Sequence, residues 1–215
     1  MPPRLKPQGG STATSGILIA VEGIDGSGLS TQARALARWL GHSGRPALLT
    51  KEPSSGPAGR LIRRSLRGHG AAAALSEPAM AALFAADRLD HLSRTVEPAL
   101  AQGMVVISDR YLLSSFAYQS LAVDLDWLRH LNRRARRPDL TLLLEVPTAV
   151  SRSRRQARPG DERYEADDHL ELVRERFVAL GLLLRAELGV VAVDAQGPPD
   201  EVLARLKAAV VERLP

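Results

Sequence analysis

Nine consecutive residues, Gly23-Ile24-Asp25-Gly26-Ser27-Gly28-Leu29-Ser30-Thr31, gather three glycines, one carboxylate and three hydroxyls into a single turn. The turn follows the apolar run Ile17-Leu18-Ile19-Ala20-Val21 and precedes residues 30–42, where Leu36 and Leu40 lie four apart. A strand, a glycine-rich turn and a hydroxyl residue opening a helix suit phosphate. The glycines let backbone N–H groups converge on the anion, and the helix N-terminus adds positive potential. Gly23, Asp25, Gly26, Ser27, Gly28, Leu29, Ser30 and Thr31 are therefore candidates for holding a nucleotide's phosphates, with Ser30 offering its hydroxyl to Mg²⁺. The plainer alternative is a glycine turn that only joins strand to helix. One residue departs from the pattern: Leu29 stands where such a loop carries lysine, whose ammonium reaches the β- and γ-phosphates. Leucine offers neither charge nor hydrogen bond, so binding and turnover have to be judged separately.

Two further segments fit phosphoryl transfer. The apolar run Met104–Ser108 delivers Asp109 at its end, the usual place for a Mg²⁺-supporting carboxylate in such a fold, although an aspartate there can also simply cap a helix. The stretch Ser151–Arg163 carries Arg152, Arg154, Arg155, Arg158 and Arg163 around Pro159-Gly160, with few apolar anchors. It reads as a mobile flap at about 148–165 that closes over bound phosphates, or as a solvated basic surface.

These groups need a scaffold, and the apolar pattern supplies one. Short buried strands are expected at Ile17–Val21, Ala47–Thr50, Met104–Ser108, Leu140–Glu145 and Val190–Val193. Helices are expected over 30–42, over 61–66, from Ser76-Glu77-Pro78 through Phe84 and Leu92 to an end near Pro98, and over 199–214. Strands separated by helices predict an α/β fold with a five-stranded parallel sheet covered on both faces. Residues 1–15, rich in Pro, Gly, Ser and Thr, read as a disordered lead-in to a single domain over 16–215.

Composition narrows the function classes. The 215 residues include no cysteine, which excludes disulfide scaffolds, thiolate nucleophiles and Cys-ligated zinc. No apolar run reaches the length of a membrane span and no secretory signal opens the chain, so a cytoplasmic protein is expected. The net charge of +5 comes almost wholly from arginine and welcomes phosphate-bearing ligands. No winged-helix, zinc or aromatic-sheet signature supports specific nucleic-acid binding.

Taken in order, several segments resemble the thymidylate kinase family, P-loop enzymes that pass a phosphoryl group from ATP to dTMP. The segments are Glu22–Gly28, Thr50-Lys51-Glu52-Pro53, Leu83-Phe84-Ala85-Ala86-Asp87-Arg88, Asp109-Arg110-Tyr111, Ser114-Ser115, Ala117-Tyr118-Gln119 and Pro138-Asp139-Leu140-Thr141. The resemblance implies a three-layer P-loop NTPase fold, ATP as donor, Mg²⁺ and a homodimer. It implies that Phe84 stacks on the thymine, that Arg88 donates to the base, and that Ser115 and Gln119 read or line it, with Tyr118 against sugar and base. It further implies that Arg110 holds acceptor and donor phosphates together, and that Asp25 touches the sugar 3′-hydroxyl and the metal shell. Glu52 belongs to the acceptor side or pairs with an arginine. Gly26 resembles loops without a built-in arginine, in which flap residues, here Arg154, Arg155 and Arg158, join Asp109 and Arg110 in catalysis. With Leu29 in the loop, three readings stay open: a slow or diverged dTMP kinase, a kinase for another nucleoside monophosphate or related phosphate acceptor, and a nucleotide-binding relative without turnover.

Overall fold

The five apolar segments pair side by side in a computed structural model that describes residues 16–68, 75–156 and 167–213. They are β1 (Ile17–Gly23), β2 (Ala47–Lys51), β3 (Val105–Asp109), β4 (Leu140–Glu145) and β5 (Val190–Asp194), in the order β2-β3-β1-β4-β5, all parallel. The three inner strands are almost wholly buried, as their unbroken apolar runs require, whereas β2 and β5 are partly exposed edges. Asp139 fixes where β4 begins: its carboxylate accepts from Leu18 N at 2.8 Å and its N–H donates to Leu18 O at 2.9 Å.

Helices cover both faces of the sheet. They are α1 (Leu29–His42), α2 (Pro57–Leu66), α3 (Glu77–His91), α4 (Glu97–Ala101), α5 (Leu112–Gln119), α6 (Leu125–Leu131), α7 (Thr148–Gln156), α8 (Asp167–Leu183), α9 (Arg185–Leu188) and α10 (Pro199–Val211). The helix α1 packs with α10 and α5 with α8, each pair against the sheet, which makes the expected three-layer α/β arrangement. The main core runs through both faces, from Leu36 and Leu40 on α1 to Phe116 on α5 and Phe177 on α8.

Two expectations change. Pro98 does not end the helix that starts at Ser76; the chain continues through a π-helical stretch, Leu92–Val96, into α4, with Pro98 in that helix's first turn. The wider π turn lies just ahead of a residue whose ring and missing N–H would otherwise break the α-helical ladder. The start is as expected, with Ser76 Oγ accepting from Ala79 N at 3.4 Å. The basic stretch also begins differently: residues 148–156 form α7, whose Ser151 is fully buried, so this part is packed helix and not an irregular flap. Arg158, Pro159-Gly160 and Arg163 lie outside the described residues, as do the 1–15 lead-in and residues 214–215.

Ile107 sits at the centre of β3 with no exposed surface. Ile107→Ala is expected to lower the unfolding free energy by about 2–5 kcal/mol, read from denaturant midpoints at unchanged m-value.

Candidate nucleotide site

The phosphate loop is formed by the backbone. Gly28, with φ of 101°, stands in the left-handed region immediately before α1, and Ser27 N–H closes the turn onto Ile24 O at 3.1 Å. A Cβ added at Gly28 would meet nothing nearer than an Arg154 nitrogen at 4.0 Å, so the space over the loop is open. Gly26 is the opposite case. A Cβ there would lie 2.5 Å from Ser151 O and 3.0 Å from Arg155 Cγ, because α7 is pressed against the loop. The Ser151 hydroxyl donates to Asp25 O in a short bond that clamps the two together.

A cavity of about 520 Å³ opens over this loop, lined by Asp25, Gly26, Ser27, Gly28, Leu29, Ser30, Thr31, Asp109, Arg110, Arg154 and Arg155, and by Lys51. Arg154 reaches in from α7, donating to Ser27 O at 3.3 Å and Ala195 O at 3.2 Å. Ser30 Oγ donates to Asp109 Oδ2 at 2.5 Å, while Asp109 Oδ1 is buried with no hydrogen-bond partner among the described residues. A hydroxyl and a carboxylate with a spare buried oxygen suit Mg²⁺, a hard cation that takes oxygen ligands. Leu29 is 6% exposed and packs into the main core, so its side chain belongs to the hydrophobic interior while its position borders the phosphate cavity.

A second pocket adjoins the first. It is lined by Asp25, Glu52, Phe84, Arg88, Arg110, Ser115, Tyr118 and Gln119, together with Pro53, Leu66, Tyr111 and Ser114. Phe84 stands on α3 one turn before Arg88, over the small apolar cluster Ile62, Leu66 and Met80. Arg88 is 1% exposed, and its guanidinium is already engaged: Nε bonds Glu52 Oε2 at 2.9 Å, and the terminal nitrogens bond Asn132 Oδ1 at 2.5 Å, Ser115 Oγ at 2.7 Å and Tyr111 O at 3.2 Å. Glu52 is likewise buried, paired with Arg88 and 3.4 Å from His91 Nδ1. Gln119 Oε1 is buried and has no partner among the described residues, so it has acceptor capacity to spare.

Asp25 and Arg110 border both cavities. Arg110 follows β3 with φ of 71°, a left-handed conformation that is strained for a side-chain-bearing residue. Three contacts hold it there. Arg110 N donates to Val21 O at 3.0 Å, Ser108 Oγ donates to Arg110 O at 2.7 Å, and the buried Glu22 Oε1 accepts from Tyr111 N at 3.0 Å and Ser114 N at 3.1 Å. The guanidinium then bonds Asp25 Oδ1 at 2.5 Å, Gly23 O at 3.0 Å and Ser114 Oγ at 3.0 Å. Gly23 therefore serves Arg110 through its carbonyl and does not line the phosphate cavity. Burial opposes the charge on Arg110, but the surrounding Tyr118, Asp25, Asp109 and Glu22 outweigh it and raise its pKa, so it stays a cation. Tyr118, its hydroxyl donating to Asp25 Oδ2 at 3.0 Å, is held protonated by burial and by that carboxylate.

A cavity over the glycine-rich loop and a pocket walled by Phe84 and a network of buried polar groups are joined by one arginine–aspartate pair. The thymidylate kinase family model matches residues 21–206. The chain belongs to the thymidylate kinase family. It is 45% identical over 174 residues to a probable thymidylate kinase of Thermococcus gammatolerans, covering 77% of this chain and 83% of the relative. A probable thymidylate kinase of Pyrobaculum aerophilum is 40% identical over 188 residues, 86% of this chain and 92% of its own length. The thymidylate kinase of Xanthomonas euvesicatoria pv. vesicatoria is 42% identical over 202 residues, 93% of this chain and 85% of its own.

Several residues that organise this kinase-family site do not stand out in the sequence. Glu22 is a carboxylate closing an apolar strand, an anomaly that signals a special role, and its short bond from Ser114 Oγ completes the clamp at the start of α5. Asn132 and His91 carry no local signal because the side chains they meet, Arg88 and Glu52, lie more than 30 residues away, and Asp87, within a segment that does stand out, accepts from Ser54 N and Oγ at 2.7 and 2.6 Å. Burial raises the Glu22 pKa above its usual 4.5, against hydrogen bonds from Ser114 that lower it. Folding therefore favours the protonated form, and Glu22 withdraws stability as pH rises above 4.5 through its folded pKa. Glu22→Gln keeps acceptors for the two amides and removes that titration. The stability of E22Q relative to wild type should thus increase as pH rises from 4 to 7, read by urea denaturation at fixed ionic strength.

Proposed function

We infer that this protein transfers the γ-phosphoryl group of ATP to dTMP in the presence of Mg²⁺. The observation that carries the reading is the Arg110–Asp25 pair standing on the border of two cavities, one over the glycine-rich loop and one lined by Phe84, Arg88, Ser115, Tyr118 and Gln119. The backbone N–H groups of Gly26 and of residues 28–31 cradle the donor phosphates, aided by the N-terminus of α1. Ser30 and Asp109 would hold Mg²⁺, which neutralises charge on the β- and γ-oxygens. Phe84 offers a flat apolar face to the thymine, Gln119 and Ser115 offer hydrogen bonds to its edge, and Arg88 keeps Ser115 and Glu52 in place. Tyr118 and Asp25 face the sugar.

Transfer then needs alignment more than covalent help from the protein. An oxygen of the dTMP phosphate forms a bond to the γ-phosphorus as the bond to the β,γ-bridging oxygen breaks, leaving dTDP and ADP. Arg110 sits where both phosphates converge and offsets their mutual repulsion. Arg154, Arg155 and Arg158 add positive charge from α7 and the segment that follows it. The single domain over 16–215, the homodimer and the cytoplasmic location implied by the family belong to the same reading. Among the described residues no helix is long and apolar enough to cross a membrane.

A coupled assay of ADP release, run with Mg²⁺ against dTMP and the other nucleoside monophosphates, tests this directly. dTMP should be the preferred acceptor, and Arg110→Ala should lower kcat by roughly 10²-fold or more with far-UV circular dichroism unchanged. An unchanged rate in R110A removes this mechanism. No transfer to any acceptor, with dTMP still binding, makes the protein a nucleotide-binding member of its family.

A further inference from the structure

With Leu29 turned into the core, the phosphate loop lacks a cation of its own. Four cationic side chains among the described residues line its cavity: Lys51, Arg110, Arg154 and Arg155. Arg110 is bound to Asp25, Gly23 O and Ser114, and Arg154 to the carbonyls of Ser27, Ala195 and Gly197. Lys51 differs in kind. Its side chain is 59% exposed, and its one ion pair among the described residues is a loose 3.7 Å contact with Asp109 Oδ2, the same oxygen that accepts from Ser30 Oγ at 2.5 Å. The ammonium therefore stands in the corner where a metal and the terminal phosphate belong.

The base of this arm is fixed while its tip is only loosely held. Lys51 pairs in register with Asp109 at the ends of β2 and β3, and the next residue donates from Glu52 N to Asp109 O at 3.1 Å. The side chain of Glu52 is then locked in the buried wall by Arg88. A lysine is a compact charge on a flexible four-carbon stem, the form of cation that phosphate loops use on the β- and γ-phosphates.

We propose that Lys51 supplies the transferring phosphoryl group with the ammonium charge that Leu29 cannot, reaching it from the end of β2 across the mouth of the cavity. The inference rests on the donor site described under the proposed function, but not on the identity of the acceptor. As negative charge spreads over the γ-phosphoryl oxygens, Lys51 exchanges its loose contact with Asp109 for a contact with one of them. Ser30 and Asp109 would hold Mg²⁺, which would offset the carboxylate's charge there.

The test compares Lys51→Met and Lys51→Arg with wild type. Lys51 is exposed on an edge strand, so both variants should melt within a few degrees of wild type. K51M should lower kcat for ATP-dependent dTMP phosphorylation by roughly 10²-fold, with the dTMP KM nearly unchanged, and K51R should recover most of the loss. The Mg²⁺ concentration giving half-maximal rate should also be nearly unchanged; a large shift in it as the sole effect would reduce Lys51 to a positioning residue for Asp109 and overturn the proposal. In a Leu29→Lys background K51M should cost far less, because the loop then carries its own charge. An equal cost in both backgrounds overturns the proposal. Titration calorimetry without acceptor gives an independent reading: K51M should reduce the preference for the β,γ-imido analogue of ATP over ADP by about tenfold. Absence of transfer in wild type would defeat the dTMP kinase reading alone, while an analogue-to-ADP ratio unchanged in K51M would defeat the role given to Lys51.

Discussion

A guanidinium that borders two cavities has to be placed accurately, and the fold accepts local strain to place Arg110. Its left-handed backbone costs about 1–3 kcal/mol wherever a side chain is present. The strain persists because both sides of the residue are fixed, by β1 through Val21 O and by the amides that Glu22 gathers at the start of α5. The same turn that aims the guanidinium at Asp25 also starts the helix carrying Ser115, Tyr118 and Gln119. Donor side, acceptor side and the link between them thus follow from one turn at the end of β3.

The acceptor wall is built from buried charge. Arg88, Glu52 and His91 are each at most 5% exposed and satisfy one another along with Asn132, Ser115 and Thr50. Such a network contributes little net stability, since desolvation opposes its attraction, but removing one member strands a charge and typically costs about 3–5 kcal/mol. Its worth lies in position. It leaves few free polar atoms facing the pocket, and Gln119 Oε1 is one of them. A pocket whose spare hydrogen-bonding capacity is so restricted discriminates by what a ligand must satisfy as much as by shape.

Much of the scaffold is legible in the chain because apolar runs encode buried parallel strands directly. Leu140–Glu145 begins and ends where the pattern places it, and the other four strands differ by one or two residues at an end. Helices beside the site are harder to read. Residues 112–119 carry no clean helical periodicity because α5 is buried nearly all round, with Ser114, Ser115 and Gln119 buried alongside its apolar residues, and the arginine content of α7 masks the single buried face that Ser151 marks. Pro98 misleads because the π turn that accommodates it has no sequence signature. Lys51 and Glu22 fall within segments that carry the family resemblance, yet what they meet depends on strand register with Asp109 and on the amides of a turn almost 90 residues away.

The contact between Gly26 and Ser151 reaches beyond this one chain. With α7 packed this closely, any side chain at position 26 would collide with the Ser151 carbonyl, a backbone atom that cannot step aside. A phosphate loop bearing its own long cation at that position and a basic helix lying flat upon the loop are therefore mutually exclusive designs. Sequences of this fold should fall into two separate groups at this position, with the height of the helix after β4 changing together with the residue in the loop.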